Sequence, residues 1–238
     1  MHKFIVMVIS LKDSLERRKN CTLYLDKLDY EWIFFDAVDG KKIDNYPAEY
    51  NKKKVKKLLG FEMTMTEIAV RFSHLEVWKK SVKLNIPILV LEDDFAFGNN
   101  IDQSINFALK HFDSWQVLRL QALFESKHET LIEENNIKLV KNHSDPLGCS
   151  AYFVKPSSAK TLIEHSKFFF EPIDHFLEHS SYHGLNFLAI KPYPIDITGE
   201  PPTVFGRDNR KPIRGLRKLN RSLNRFIDRL INKKPWFN

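Results

Sequence analysis

Three consecutive carboxylates, Glu92, Asp93 and Asp94, are the residues of this chain whose types and spacing most plainly suggest chemistry. They follow the apolar run Ile88–Leu91 and precede Phe95, Phe97 and Gly98. Adjacent carboxylates at the end of a buried run are costly, because like charges repel and burial disfavours ionisation. A divalent cation offsets that cost. Side chains alternate along an extended chain, so Glu92 and Asp94 are predicted to share one side and Asp93 to point the other way. Hard cations such as Mg²⁺ and Mn²⁺ take carboxylate oxygen, few protein ligands, and substrate phosphate for the rest. The alternative is an N-cap, with Asp93 or Asp94 starting a helix.

Cationic and polar side chains elsewhere fall where they could face such a site. Arg17, Arg18 and Lys19 lie in the first turns of a helix predicted to start after Asp13 or Ser14. Cations there oppose the helix dipole unless they face an anion. A phosphate-bearing ligand beyond Ser10, the last residue of the preceding strand, would be one. A solvated basic face is the other reading, and it is preferred for Lys19. Asp36 and Asp39 close a second strand, where ligand contacts collect in open α/β sheets; Asp39 is read as turn chemistry. Glu67, Arg71 and His74 make a polar ridge on a predicted helix over 64–83. Arg119 falls inside a predicted strand and needs a partner if buried, with Asp94 or Glu92 as candidates. Glu171, Asp174, His175, Glu178, His179 and His183 crowd a stretch entered through Pro172. His175 and His179 have a zinc-compatible spacing without the zincin Glu, so a solvated or phosphate-facing role is preferred over zinc.

The elements that must position these residues follow from pattern. Residues 3–10, 31–37, 115–121, 150–155 and 185–197 read as strands, the last broken by Pro192 and Pro194. The run 88–91, headed by Pro87, reads as a buried central strand. The helix over 64–83 opens with the capping-box pair Thr64 and Glu67. Its core face is predicted from Ile68, Phe72, Leu75, Trp78 and Val82. Helices are also predicted over 101–111, over 156–165 with Pro156 in the first turn, and over 171–180. The Lys-rich stretch 41–58 reads as a surface excursion around Pro47, and residues 125–136 as a loop or hairpin.

The 238 residues, 43% hydrophobic and 13% aromatic, suit one large α/β domain or a domain with an appendage. Cys21 and Cys149 cannot build a disulfide framework, so a reducing compartment is the expectation. The apolar run Phe4–Ile9 is too short for a signal-peptide core. No run approaches the roughly 20 residues of a membrane span. The net charge of +7 is uneven: residues 207–238 hold 11 Lys and Arg against Asp208 and Asp228, which leaves the rest near neutral. In that stretch Ile213, Leu216, Leu219, Leu223, Phe226 and Leu230 recur with helical spacing, and Arg217, Arg221, Arg225 and Arg229 step every four residues. The pattern suits a basic amphipathic helix on an anionic membrane surface, or one docked on its own domain with a basic outer face. Nucleic acid is disfavoured, since aromatics do not interleave those charges. Dinucleotide, P-loop and GxSxG fingerprints are absent.

The sequence resembles glycosyltransferase family 25, the bacterial lipopolysaccharide and lipooligosaccharide β-galactosyltransferase family. VISLKDSLERR (8–18), FFDAVDG (34–40), MTMTEIAVRFSHLEVWK (63–79), ILVLEDDF (88–95), WQVLRL (115–120), GCSAYFVKPSSAKTLI (148–163) and PIDHFL (172–177) carry the resemblance, in family order. Thr66 stands where members commonly have Gly. The resemblance implies a GT-A fold, an α/β/α sandwich with a mixed, mostly parallel sheet; the domain is expected over residues 1–206, and the basic tail 207–238, set apart by its composition, is outside the resemblance. It implies transfer of a hexose, commonly galactose, from a UDP-sugar to a lipid-linked acceptor with inversion. It implies that Asp94, with Glu92 or Asp93 behind it, holds Mn²⁺ or Mg²⁺ against the diphosphate. Inversion requires a carboxylate base away from the metal, for which Asp174 is the first candidate and Glu171 the second. Ser10, Arg17, Arg18, Asp36, His74 and Arg119 are the candidate nucleotide-sugar contacts. The expected location is the cytoplasmic face of the inner membrane. The rival readings are a metal-dependent phosphoesterase or nuclease and a non-catalytic membrane-surface protein.

Overall fold

The computed structural model describes residues 3–198 and Leu223. The predicted boundary at 206/207 and the basic tail, Leu223 excepted, lie outside them. The chain runs β1 (Ile5–Ser10), α1 (Leu15–Leu25), β2 (Trp32–Asp36), α2 (Lys52–Leu59), α3 (Met65–Leu84), β3 (Ile88–Glu92), β4 (Phe95–Phe97), α4 (Ile101–Lys110), β5 (Val117–Arg119), β6 (His128–Glu134), β7 (Ile137–Asn142), β8 (Ala151–Val154), α5 (Pro156–His165), α6 (Ile173–Glu178), α7 (Ser180–His183), β9 (Phe187–Lys191) and β10 (Ile195–Ile197).

Alternation along β1 and β3 sets the layers. Val6, Val8, Leu89 and Leu91 enter one core with Cys21 and Leu25 of α1 and Ile105 of α4. Ile5, Met7, Ile9, Ile88 and Val90 enter the other, with Val77 and Trp78 of α3, Leu162 of α5 and Phe176 of α6. A strand buried on both faces reads as a continuous apolar run, which is why β1 and β3 are legible in the sequence. The strands form an eight-stranded sheet ordered β2-β1-β3-β8-β5-β9-β7-β6, with β10 and β4 paired separately. β8 and β7 run against the other strands, so the sheet is mixed with most strands in one direction. The expected α/β/α sandwich is therefore what the chain adopts.

The parallel register of β2, β1 and β3 brings Ser10 opposite Asp36, and Ile9 opposite Glu92. One edge of the sheet thus collects the ends of all three strands. The backbone N–H of Thr198, just past β10, donates to the Asp94 carbonyl at 2.8 Å, so the last described strand braces the acidic turn.

Helix α3 opens with the predicted capping box, Thr64 and Glu67 satisfying each other's backbone N–H. Thr66 sits in regular helix there. Its backbone is crowded by Gly40: a Cβ on Gly40 would stand 2.7 Å from the Thr66 Cα, so the loop after β2 can rest on α3 only where a side chain is missing. The face of α3 differs from expectation. Val82 is exposed, and Glu67, Arg71, His74 and Ser81 are buried with Ile68 and Trp78. The polar ridge is part of the inner face because buried partners meet its hydrogen-bonding groups.

Residues 52–59 are helix α2 rather than a solvated excursion. Its lysines face outward, while Val55, Leu58 and Leu59 pack with Met63, Ile68 and Phe169 in a third cluster. The stretch 125–136 resolves as most of the β6–β7 hairpin, and Pro156 opens α5 as predicted.

Candidate functional site

Strand alternation divides the acidic turn between two helices. Residues 88, 90 and 92 face α3, which turns Glu92 toward His74; Asp93 turns the other way, toward α1. Both Asp93 oxygens are taken, one by the Ser10 hydroxyl at 2.7 Å and one by the Arg17 guanidinium at 2.6 Å. Arg18 donates to the Ser10 carbonyl at 2.8 Å and to Asp36 at 2.6 Å, with its guanidinium over the Phe34 ring. Ser10, Arg17, Arg18, Asp36 and Asp93 therefore form one cluster at the ends of β1 and β2.

Glu92 accepts His74 Nε2–H at 3.1 Å and the Cys149 thiol at 3.2 Å on one oxygen, and Ser150 Oγ–H at 2.9 Å on the other. Burial alone would raise its pKa, but these bonds and the imidazole hold the carboxyl below its ordinary range. Trp78 Nε1–H donates to the Tyr152 hydroxyl at 2.9 Å, and that hydroxyl meets His74 Nδ1 at 2.8 Å. A hydroxyl that accepts from the indole can donate to Nδ1, which places the ring hydrogen on Nε2, facing Glu92. His74 is sealed from solvent, so it acts on the edge only through Glu92.

Asp94 is the carboxylate left over. Its Oδ1 is buried and has no hydrogen-bond partner among the described residues. Burial, and next the charge of Glu92, push its pKa to about 7, against the pull of Arg17. A desolvated carboxylate oxygen with neither a donor nor a cation is unstable as an anion, and a divalent ion would supply what is missing. The residues present thus fit a hard cation at Asp94, with Asp93 and Glu92 fixing the turn behind it.

The far side of the edge is organised by Arg119. Its expected partner, Asp94 or Glu92, is corrected: strand β5 faces it toward α6, and its guanidinium pairs with Glu178. Arg119 also donates to the carbonyls of Gln121 at 3.0 Å and Gly148 at 2.8 Å, and stacks over Phe187. It is thereby committed to the protein rather than aimed at a ligand. Glu171 is tied to His179 Nδ1 at 2.9 Å. Asp174 accepts the His175 N–H of its own helix, and among the described residues no cation pairs with it. It shares α6 with Glu178, whose pairing with Arg119 ties that helix to β5.

Sequence reasoning gave no role to Cys149, Ser150, Tyr152 or Glu178 as partners of the site. Glu178 carried a signal, since it shares a helix face with Asp174. Burial pushes its carboxyl to about 7 even beside Arg119. Cys149 and Ser150, two of the three side chains that hold Glu92, lie 57 and 58 residues away, a pairing visible only once β3 and β8 are neighbours.

A family model described as glycosyltransferase family 25 (LPS biosynthesis protein) matches residues 3–177, a span that contains the acidic turn, its partners from Ser10 to Tyr152, Arg119, Glu171 and Asp174, and stops short of Glu178 and His179. The chain belongs to glycosyltransferase family 25. It is similar to the lipooligosaccharide biosynthesis protein lic2B of Haemophilus influenzae, 26% identical over 168 residues, covering 66% of this chain and 62% of the relative. A glycosyltransferase 25 family member of Anopheles gambiae is 33% identical over 100 residues, covering 39% of this chain and 17% of the relative. The chain thus spans less than two thirds of the length of either relative. The solved structure of mannose-1-phosphate geranyltransferase from Thermus thermophilus is similar at a TM-score of 0.35 and 9% identity, over 82% of this chain and 76% of that one. That likeness is too loose to bear on function.

Proposed function

We propose that the chain is a metal-assisted, inverting glycosyltransferase that moves a hexose, galactose in the first instance, from a UDP-sugar to a lipid-linked lipooligosaccharide or lipopolysaccharide acceptor. The observation that carries this reading is the buried, unpartnered Asp94 oxygen beside the cluster of Ser10, Arg17, Arg18 and Asp36. Membership of the family supports the reaction class.

In this reading Asp94 holds Mn²⁺ or Mg²⁺, with Glu92 and Asp93 positioning it. Such an ion stabilises negative charge on a departing diphosphate as a Lewis acid. Arg17 and Arg18 line the end of β1, where they can meet phosphate oxygens. Ser10 and Asp36 offer hydrogen bonds to the nucleoside. The acceptor hydroxyl attacks the anomeric carbon from the face opposite the diphosphate. Asp174 takes its proton as the bond to phosphate breaks, and the sugar inverts. Glu171, engaged by His179, is the less suitable base.

Residues 207–238 would bind an anionic membrane surface at the cytoplasmic face of the inner membrane, near the growing acceptor. The support for this is their charge and helical spacing in the sequence. No helix among the described residues is long and apolar enough to cross a membrane.

Release of UDP from UDP-galactose, with Mn²⁺ and a truncated lipooligosaccharide acceptor, tests the reading. Turnover that disappears in Asp94→Ala is expected. No turnover with any UDP-sugar, or full activity in Asp94→Ala, would overturn it.

A further inference from the structure

We propose that His74, Glu92 and Cys149 form a second metal site, of the borderline-soft class that takes Zn²⁺, on the α3 side of the acidic turn. It is separate from the hard-cation position at Asp94 and does not depend on the transfer reaction. The three ligand atoms lie within 4.8 Å of one another. His74 Nε2 is 3.1 Å, and Cys149 Sγ 3.2 Å, from the same Glu92 oxygen. Tetrahedral zinc, with ligand bonds of about 2.0–2.3 Å, separates its ligands by roughly 3.3–3.8 Å. The two separations fall a few tenths of an ångström short of that, an adjustment small torsions can supply.

The surroundings match what a zinc ligand set needs behind it. The far nitrogen of a ligating imidazole is normally held by a hydrogen bond, and His74 Nδ1 meets the Tyr152 hydroxyl, itself fixed by Trp78. The second oxygen of a ligating carboxylate is normally bonded too, and here the Ser150 hydroxyl does this at 2.9 Å. Three separate elements contribute: α3, β3 and the segment leading into β8. The Glu92 N–H to Ser150 carbonyl bond of 2.8 Å locks the last two in register.

Thiolate and imidazole select zinc over magnesium or manganese. On binding, the Cys149 thiol proton leaves to solvent. The imidazole hydrogen moves from Nε2 to Nδ1, where the Tyr152 oxygen accepts it. His74 is sealed while Glu92 and Cys149 are partly exposed, so ion entry and the fourth coordination position lie on the open side. Three protein ligands with one open position mark an exchangeable rather than a closed structural zinc site.

Hydrogen bonds alone would give similar contacts, so thiolate-to-metal bonding is the property to test. Titration of the full chain with Co²⁺ should give one equivalent of tetrahedral cobalt with thiolate-to-cobalt charge-transfer absorption. That absorption should survive excess Mn²⁺ and Cys21→Ser, and vanish in Cys149→Ser. No such absorption with Co²⁺ in large excess, or absorption that Cys149→Ser leaves intact, overturns the proposal. Should Cys149→Ser not fold, alkylation of Cys149 in the unmodified chain decides. Zn²⁺ should slow it about tenfold or more by occupying the thiolate, and an unchanged rate overturns the site. Neither readout involves UDP-sugar turnover, so failure here and failure of the transfer reading are distinguishable.

Discussion

Two acidic groups border the same sheet edge, and they are built alike. In the turn after β3, Asp93 is held by Ser10 and Arg17, Glu92 is held by His74, Cys149 and Ser150, and Asp94 keeps a buried oxygen without a partner among the described residues. Around α6, Glu178 is held by Arg119, Glu171 is held by His179, and Asp174, among the described residues, has only its own helix N–H. In each group two carboxylates are held by side chains and the third, among the described residues, is not; the proposed reaction uses that third one. The difference lies in environment. Asp94 is desolvated among other carboxylates, which suits a cation, whereas Asp174 sits in the first turn of α6 without a cation paired to it among the described residues.

The sharpest way to break this division is to neutralise α6 one carboxylate at a time. Asp174→Asn is expected to lower the transfer rate by roughly a hundredfold to ten-thousandfold. Glu171→Gln should leave it within about tenfold. Steady-state UDP release measures both, and a larger loss in Glu171→Gln would reverse their assignment. Next in size is the strut itself. Arg119→Met strands the buried Glu178 carboxyl and should cost about 3–5 kcal/mol of stability in urea unfolding. A loss under about 1 kcal/mol would mean that the pair does not hold α6 to the sheet.

His183 gives a pH dependence on the same side. Its Nε2 donates to the carbonyls of Phe176 and Leu177, and its Nδ1 accepts the Leu185 N–H at 3.1 Å, so the ring is bound neutral. Burial lowers its pKa from 6.5 to about 4. A folded value below the unfolded one contributes stability in full above pH 6.5, and that stability is lost as pH falls toward 4. The loss should approach about 3 kcal/mol, and His183→Gln should flatten that limb of the stability–pH curve. The smallest effect is expected at the start of α3. There Thr64→Ala removes the capping box and should cost about 1 kcal/mol in urea unfolding.

Much of this organisation is legible in the sequence, for identifiable reasons. β1 and β3 are continuous apolar runs, α5 opens on Pro156, and the capping box of α3 is written in Thr64 and Glu67. Helix α2 is hidden because its lysines outnumber its apolar residues, although Val55, Leu58 and Leu59 have the spacing of one buried stripe. The buried ridge of Glu67, Arg71 and His74 is misplaced by periodicity, which counts apolar residues and cannot see distant partners that satisfy polar ones. The Arg71 guanidinium lies over both the Phe169 and the Phe176 rings, which are far along the sequence from it. Arg119 draws the wrong carboxylate for the same reason: its partner Glu178 is 59 residues away and meets it only through the fold. The acidic turn itself reads directly, but not which carboxylate is left unpartnered, because that depends on α1 and α3 approaching from opposite faces.

The central claim is that Asp94 holds a divalent cation at the nucleotide end of the edge. Mn²⁺ binding followed by electron paramagnetic resonance, with and without UDP, in the native chain and in Asp94→Asn tests it most directly. The account predicts one bound Mn²⁺ in the native chain, tightened by UDP, and binding weakened by about tenfold or more in Asp94→Asn. Equal Mn²⁺ affinity in the two proteins, with or without UDP, would contradict it.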